Sequence, residues 1–332
     1  MTTISDVVLA LDILSGGRVN DPNPMHSFSI WKDSGIRGKK VLEKPGLVWG
    51  DPMRQVKKLA VAMTLSEHDI ELAAATGVDA IVAHHPIADA ASSGGVTLKN
   101  YLGLSGLAVL ELHEAFHGLH PGIAFLHGHQ VRYADIHYGG VEGNVLFVGT
   151  VLPEIKEMGH ILDRLHSFMG LEEEGELLKM EREIRGSSSV MEATLVTQGR
   201  IVLGSRESPV KHVLHIFPHT GFSPAHLRQA KEQFPEIDTV LASISRVRSD
   251  SELVQEAKRL GLQFVIGNCH VLEILENGLP LAYALEKLLP DVEVVVFRER
   301  VTSIPLREMG SKRIREYAER MADNYLVKKV NV

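Results

Sequence analysis

Val61–Ile87 reads VAMTLSEHDIELAAATGVDAIVAHHPI, and its grammar is strand, helix, strand. Lys57–Thr64 (KKLAVAMT) supplies an apolar run of strand length. Ser66–Gly77 (SEHDIELAAATG) then carries helix punctuation: Ser66 as N-cap, Asp69 three residues on as its reciprocal partner, Gly77 as the stop. Asp79–His85 (DAIVAHH) is a second buried strand. Two strands joined by one helix must pair in parallel, because a crossover of that length returns the chain to the same end of the sheet.

The same rhythm extends outward. A helix is expected over Gly106–Gly118 and a strand over Gly122–His129 (GIAFLHGH). Pro153–Gly170 has helical patterning, Glu172–Glu176 (EEEGE) reads as an acidic turn between lobes, and Val190–Leu203 as β-rich. Alternation then returns: strands over Lys211–Pro218, Asp238–Ile244, Gln263–His270 and Val292–Glu299, with helices over Ser223–Phe234, Asp250–Leu260 and Leu279–Leu289, and a charged helix at the C-terminus. The expected fold class is α/β, with two βα-rich lobes of mostly parallel sheet. The expected divisions are 1–150 for the first lobe, 151–204 for a connecting or inserted region and 205–332 for the second lobe.

Composition narrows the function. A chain of 332 residues with 44% hydrophobic and 23% charged residues can bury two ordinary cores. Its net charge of -7 disfavours nucleic acid or an anionic membrane as partner. No apolar run approaches the roughly 20 residues of a membrane span, and MTTISDVVLALDILSGG lacks the basic start and cleavage site of a secretory signal. A single cysteine, Cys269, excludes an intrachain disulfide and fits a reducing compartment, so a cytoplasmic location is expected. The 17 histidines are the unusual count. Imidazole is the commonest neutral metal ligand, which makes their clustering the question.

Three segments carry ligand chemistry. His84-His85-Pro86 ends a strand, where loops of an open α/β sheet form the ligand crevice. Adjacent strand residues face opposite ways, so both imidazoles serve one site only if the chain leaves strand geometry there, which Pro86 encourages. Asp135-Ile136-His137-Tyr138-Gly139-Gly140-Val141 offers a carboxylate in a tight loop, or else an ordinary Asx turn. His270 and Glu273, at i and i+3 after a strand, fall on one face of a helical turn. His215 and His219, near the strand end at Pro218, carry no spacing signal but could line the same cleft.

VAHHP after a βα unit, D-x-x-x-G-G-V downstream and a late H-x-x-E at a strand-to-helix junction together resemble the Nif-three-like family (NGG-one-interacting-factor-three-like), whose members often carry the label type 2 GTP cyclohydrolase. The resemblance covers Val61–Ile87 and Ser249–Glu273 well, and 150–204 poorly. It implies two divalent metal ions per chain (zinc, manganese, iron, nickel or cobalt) held by His84, His85, Asp135, His270 and Glu273, with Asp135 bridging. It also implies a homohexamer around an internal cavity. The family's histidine four residues before the bridging aspartate falls here on Val131, so His129 is the expected substitute. Glu276 competes with Glu273 for the second-lobe carboxylate. His129, His137 and Glu276 are the candidate general bases for a metal-dependent hydrolase or cyclohydrolase-like enzyme acting on a small molecule. The alternative is a non-catalytic metal-binding or interaction protein.

His113-Glu114-Ala115-Phe116-His117 also matches H-E-x-x-H, the zinc-protease pattern, which needs a helix to bring both imidazoles to one face. Ile123 stands where an extended metzincin pattern needs its third histidine. The protease reading therefore ranks last, behind a histidine-rich surface or subunit-contact helix.

Overall fold

The computed structural model describes residues 1–33, 40–87, 96–113, 115–117, 120, 122–141, 143–244 and 247–327. Helix α1 (Ile4–Leu14) precedes β1 (Ile30–Asp33), β2 (Lys40–Glu43), β3 (Gly46–Trp49) and β4 (Lys58–Ala62). Then come α2 (Glu67–Thr76), β5 (Ala80–Ala83), α3 (Val96–Ser105), β6 (Ala108–Glu111), α4 (Gly122–Leu126), β7 (His129–Asp135) and β8 (Leu146–Val151). Helices α5 (Met158–Phe168) and α6 (Leu171–Arg185) lead through β9 (Met191–Glu192) and α7 (Ala193–Val196) to β10 (Arg200–Leu203). The rest alternates: β11 (His212–Ile216), α8 (Pro224–Gln233), β12 (Thr239–Ala242), α9 (Glu252–Arg259), β13 (Gln263–Ile266), α10 (Leu279–Leu288), β14 (Glu293–Val296), β15 (Thr302–Ser303) and α11 (Lys312–Met321).

The opening unit forms as its punctuation dictates. The Ser66 hydroxyl accepts from Asp69 N–H, the Asp69 carboxylate accepts from Ser66 N–H, and Gly77 takes the left-handed C-cap at φ 72°. β4 and β5 pair in parallel, Leu59 opposite Ala80 through Ala62 opposite Ala83. Side chains alternate between two cores: Leu59, Val61, Ala80 and Val82 face α1 and α10, while Ala60, Ala62, Ile81 and Ala83 face the α2–α3 side. Apolar residues on both faces are what a strand covered by helices on both sides requires.

Two large sheets result. The first has five strands in the order β14-β4-β5-β6-β3, parallel except for edge strand β3. The second has six, in the order β10-β13-β12-β11-β8-β7, with a parallel centre flanked by antiparallel strands. It is covered by α8 and α9 on one face and by α5 on the other. This is the expected two-lobed α/β architecture. No helix among the described residues is long and apolar enough to cross a membrane.

The sheets do not follow cuts at 150 and 204. β7 and β8 hydrogen-bond into the second sheet, and β14 returns to pair with β4 in the first. The second lobe is therefore inserted into the first, and the chain crosses between them after β6 and again after β13. Three local readings also change. The expected helix over Gly106–Gly118 is instead β6, because Ala108–Glu111 gains ladder partners in both β5 and β3, a tertiary gain that overrides its helix-forming composition. Gly122–Leu126, expected as strand, is the short α4, and the strand begins where it was expected to end, at His129. Glu172–Glu176 is no turn: Glu172, Glu173 and Glu174 occupy the first turn of α6, where negative charge suits the helix dipole, and Glu174 also pairs with Arg298 at 2.7 Å.

Candidate metal centre

Both crossings deliver histidines to the strand end at Ala83. His84 and His85 lie just beyond β5, their backbone N–H groups still donating to Ala62 and Met63 carbonyls. Departure from strand geometry lets the two rings enter one site, with centroids 5.6 Å apart. The first crossing brings His113 and His117, and the second brings His270 and Glu273. The side chains fall into two groups, His84–His113–His117 and His85–His270–Glu273, each offering ligand atoms within 4.8 Å of one another.

The surroundings fix which nitrogen faces inward. His84 Nδ1–H donates to the Leu112 carbonyl at 3.0 Å, leaving Nε2 to point at His117 Nε2, 3.1 Å away. His85 Nδ1 meets Thr64 Oγ1 at 3.1 Å, and its Nε2 lies 3.4 Å from His270 Nε2. His113 Nδ1 lies 3.1 Å from Oε1 of the buried Glu43. An outer partner on one ring nitrogen with the other nitrogen turned inward is the arrangement that orients metal-bound imidazoles.

Electrostatics favour a cation. His84 is fully buried, and burial first, then His117 and His113, hold its pKa well below the ordinary histidine value. A neutral imidazole thus presents its lone pair to another imidazole. Glu273 is the carboxylate among these six residues. Burial alone would raise its pKa, but His85, His84 and His270 outweigh that and hold it below the usual carboxylate range. Its Oε2 stands 3.1 Å from His85 and 3.2 Å from His270, while Oε1 is 3.7 Å from His84, so one carboxylate reaches both groups. Asn277 Nδ2 holds Oε1 in place at 3.1 Å.

The other sequence candidates stand elsewhere. Asp135 ends edge strand β7; its Oδ1 accepts from His137 N–H at 2.8 Å and its Oδ2 from the Tyr133 hydroxyl at 3.2 Å, the Asx-turn arrangement. His137 is exposed beside it. Neither belongs to the two groups. His129 is buried in the second sheet, where its Nε2 meets His215 Nδ1 at 2.9 Å and His215 Nε2 meets Ser243 Oγ at 2.6 Å. Burial lowers the His129 pKa to about 3. Glu276 is enclosed in the π-helical turn Ile274–Gly278, accepting from Asn268 Nδ2 at 2.7 Å, and burial pushes its pKa well above the ordinary value. Cys269 is buried, and burial raises its thiol pKa.

His113 and His117 are the residues that sequence reasoning assigned to another role. They occupy a turn after β6 and not a helix, while Glu114 of the H-E-x-x-H motif lies outside the described residues. A signal was available, since His113 and His117 have the four-residue spacing expected of the histidine–aspartate pair. His219, on the turn Pro218–Thr220 after β11, sits beside the array, its ring centroid 5.8 Å from that of His270.

Residues 35–95 match the family model Duf34/NIF3 (NGG1p interacting factor 3). No curated protein matches the chain. Among solved structures, reduced HcgD from Methanocaldococcus jannaschii is similar over 89% of this chain and 97% of its own, at 16% identity and TM-score 0.56. A Bacillus cereus protein related to NIF3 is similar over 92% and 98% respectively, at 13% identity and TM-score 0.53. Fold and candidate site together define a two-lobed α/β protein with a histidine-rich cleft that could hold metal. The NIF3 match thus covers residues 35–95, and the likeness to these structures is one of fold.

Proposed function

We propose that this chain is a dinuclear divalent-metal protein with hydrolase-like chemistry. The observation that carries the reading is the 3.1 Å approach of His84 Nε2 to His117 Nε2, with His84 Nδ1 already committed to Leu112. Two nitrogens sharing one tetrahedral ion at 2.0–2.1 Å bonds stand roughly 3.3–3.4 Å apart; the His84–His117 and His85–His270 separations of 3.1 and 3.4 Å suit such sharing. Five imidazoles and one carboxylate favour zinc, iron, cobalt or nickel over the oxygen-seeking magnesium or calcium.

Glu273, whose two oxygens reach both groups, would help to hold both ions in place of Asp135. When bound, the ions would supply Lewis acidity toward a carbonyl or phosphoryl oxygen of the substrate. Thr64, Leu112 and Glu43 hold the histidine rings so that the ligand nitrogens need little reorganisation. His219 is the proton-transfer group, because it borders the array without belonging to either group. The resemblance supports a cytoplasmic homohexamer, which light scattering of purified protein would check.

The test is elemental analysis combined with hydrolysis of chromogenic esters, amides and phosphoesters by metal-loaded and metal-stripped protein. About two equivalents per chain, and turnover that disappears on stripping, are expected. His219→Ala is expected to retain metal and lose turnover. Full loading with no turnover on any substrate class would overturn the hydrolase reading, and protein that takes up no metal would overturn the whole.

A further inference from the structure

Two helices leave an apolar stripe uncovered. α11 and the π-helical turn Ala322–Leu326 that continues it bury none of their residues. Yet Ile314, Tyr317 and Met321 recur on one side of α11 at i, i+3 and i+7, and Ile314 and Tyr317 are exposed. Helices in proteins draw most of their stability from packing such a face. The Ser311 cap and the Arg307–Glu319 pair at 2.7 Å secure the helix but give its stripe nothing to pack on. α6 has the same feature. It turns Leu171, Glu174 and Leu178 inward and leaves Leu177, Met180 and Ile184 exposed, again at i, i+3 and i+7.

The two stripes share one pattern with opposite charge. Arg313 and Arg320 directly precede Ile314 and Met321, so they line one edge of the α11 stripe. Glu176 and Glu183 directly precede Leu177 and Ile184, and line the same edge of the α6 stripe. When two such helices pack antiparallel, these edges face each other, the first residue of one against the last of the other. Arg313 then meets Glu183, and Arg320 meets Glu176. Pairing α11 with α11, or α6 with α6, would set like charges opposite each other. Among the described residues Arg313, Arg320 and Glu183 form no ion pair, and Glu176 has only the exposed Lys179 at 3.4 Å.

We propose that α11 docks antiparallel on α6 of a second copy of this chain, joining two copies through two identical contacts. Both stripes stay uncovered within one chain, and Arg307 ties α11 to the turn Leu306–Glu308 that it leaves. The partner helix therefore comes from a neighbour. Each copy offers one helix of each kind, so the exchange closes on itself as a two-fold pair. No residue of the candidate metal centre takes part, and the contact does not depend on the dinuclear reading.

Charge swaps in the full chain test the proposal by sedimentation equilibrium. One variant carries Arg313→Glu with Arg320→Glu, the other Glu176→Arg with Glu183→Arg. The wild-type chain is expected to self-associate, and each variant alone to do so at least tenfold more weakly, because both of its contacts then oppose like charges. An equimolar mixture is expected to recover wild-type association, since every contact in a mixed pair joins opposite charges. That recovery also shows that both variants fold. A monomeric wild type, or association unchanged in either variant, would overturn the proposal. So would a mixture no stronger than its components, the outcome expected if α11 instead folds onto α6 of its own chain.

Discussion

Glu43 Oε1 stands 3.1 Å from His113 Nδ1, so a buried carboxylate on the first lobe's strand β2 orients an imidazole on the first crossing. Removing such an outer partner typically weakens metal binding about 10–100-fold. Glu43→Gln is expected to lower affinity within that range while leaving the circular dichroism spectrum intact. Competition against a chelator of known affinity measures it. Unchanged affinity would mean that the contact is structural only.

Glu276→Gln separates the two neighbouring glutamates. Burial favours the protonated form of Glu276, and among the described residues its hydrogen bond comes from Asn268. An amide replaces a neutral acid at little cost, so this variant is expected to retain its metal and turnover. Glu273→Gln is expected to lose at least one metal equivalent. Equal losses in both would contradict the assignment.

The buried His127, His129 and His215 make stability fall with acid. Burial depresses all three, to about 4 for His127 and about 3 for His129. A histidine lowered in the folded state binds its proton more readily when unfolded. Its contribution is therefore complete above the unfolded value near 6.5 and is lost as pH falls toward the folded value. Each such group removes about 1.4 kcal/mol per pH unit within that window. Urea unfolding of metal-stripped protein between pH 7 and 4.5 is expected to show a steep fall. A flat profile would contradict the neutral buried array.

Gly267 lies under His127: an added Cβ would stand 2.3 Å from Nε2 of that ring, which accepts the Asn268 N–H at 3.0 Å. Gly267→Ala must displace a fully buried side chain and break this contact between α4 and the second crossing. A loss of roughly 1–3 kcal/mol is expected on urea unfolding. Wild-type stability would mean that His127 yields freely.

The β4–α2–β5 unit was legible because its signals are local: Ser66, Asp69 and Gly77 punctuate the helix within the segment itself. β6 was not, since a four-residue apolar run does not distinguish strand from helix until β3 and β5 flank it. The insertion of one lobe in the other depends on β14 returning to β4, a pairing across more than half the chain that no window reveals. The site divides in the same way. His84, His85, His270 and Glu273 sit at strand ends, where position alone suggested a role. His113 and His117 become neighbours of His84 only through the first crossing, so a spacing that looked accidental had no local support. Asp135 lies outside both groups, its carboxylate engaged within its own turn.

The most direct test is anomalous diffraction at the metal edge from crystals of metal-loaded protein. Two peaks are predicted, one against His84, His113 and His117 and the other against His85, His270 and Glu273. A single peak, or one beside Asp135, would contradict the account.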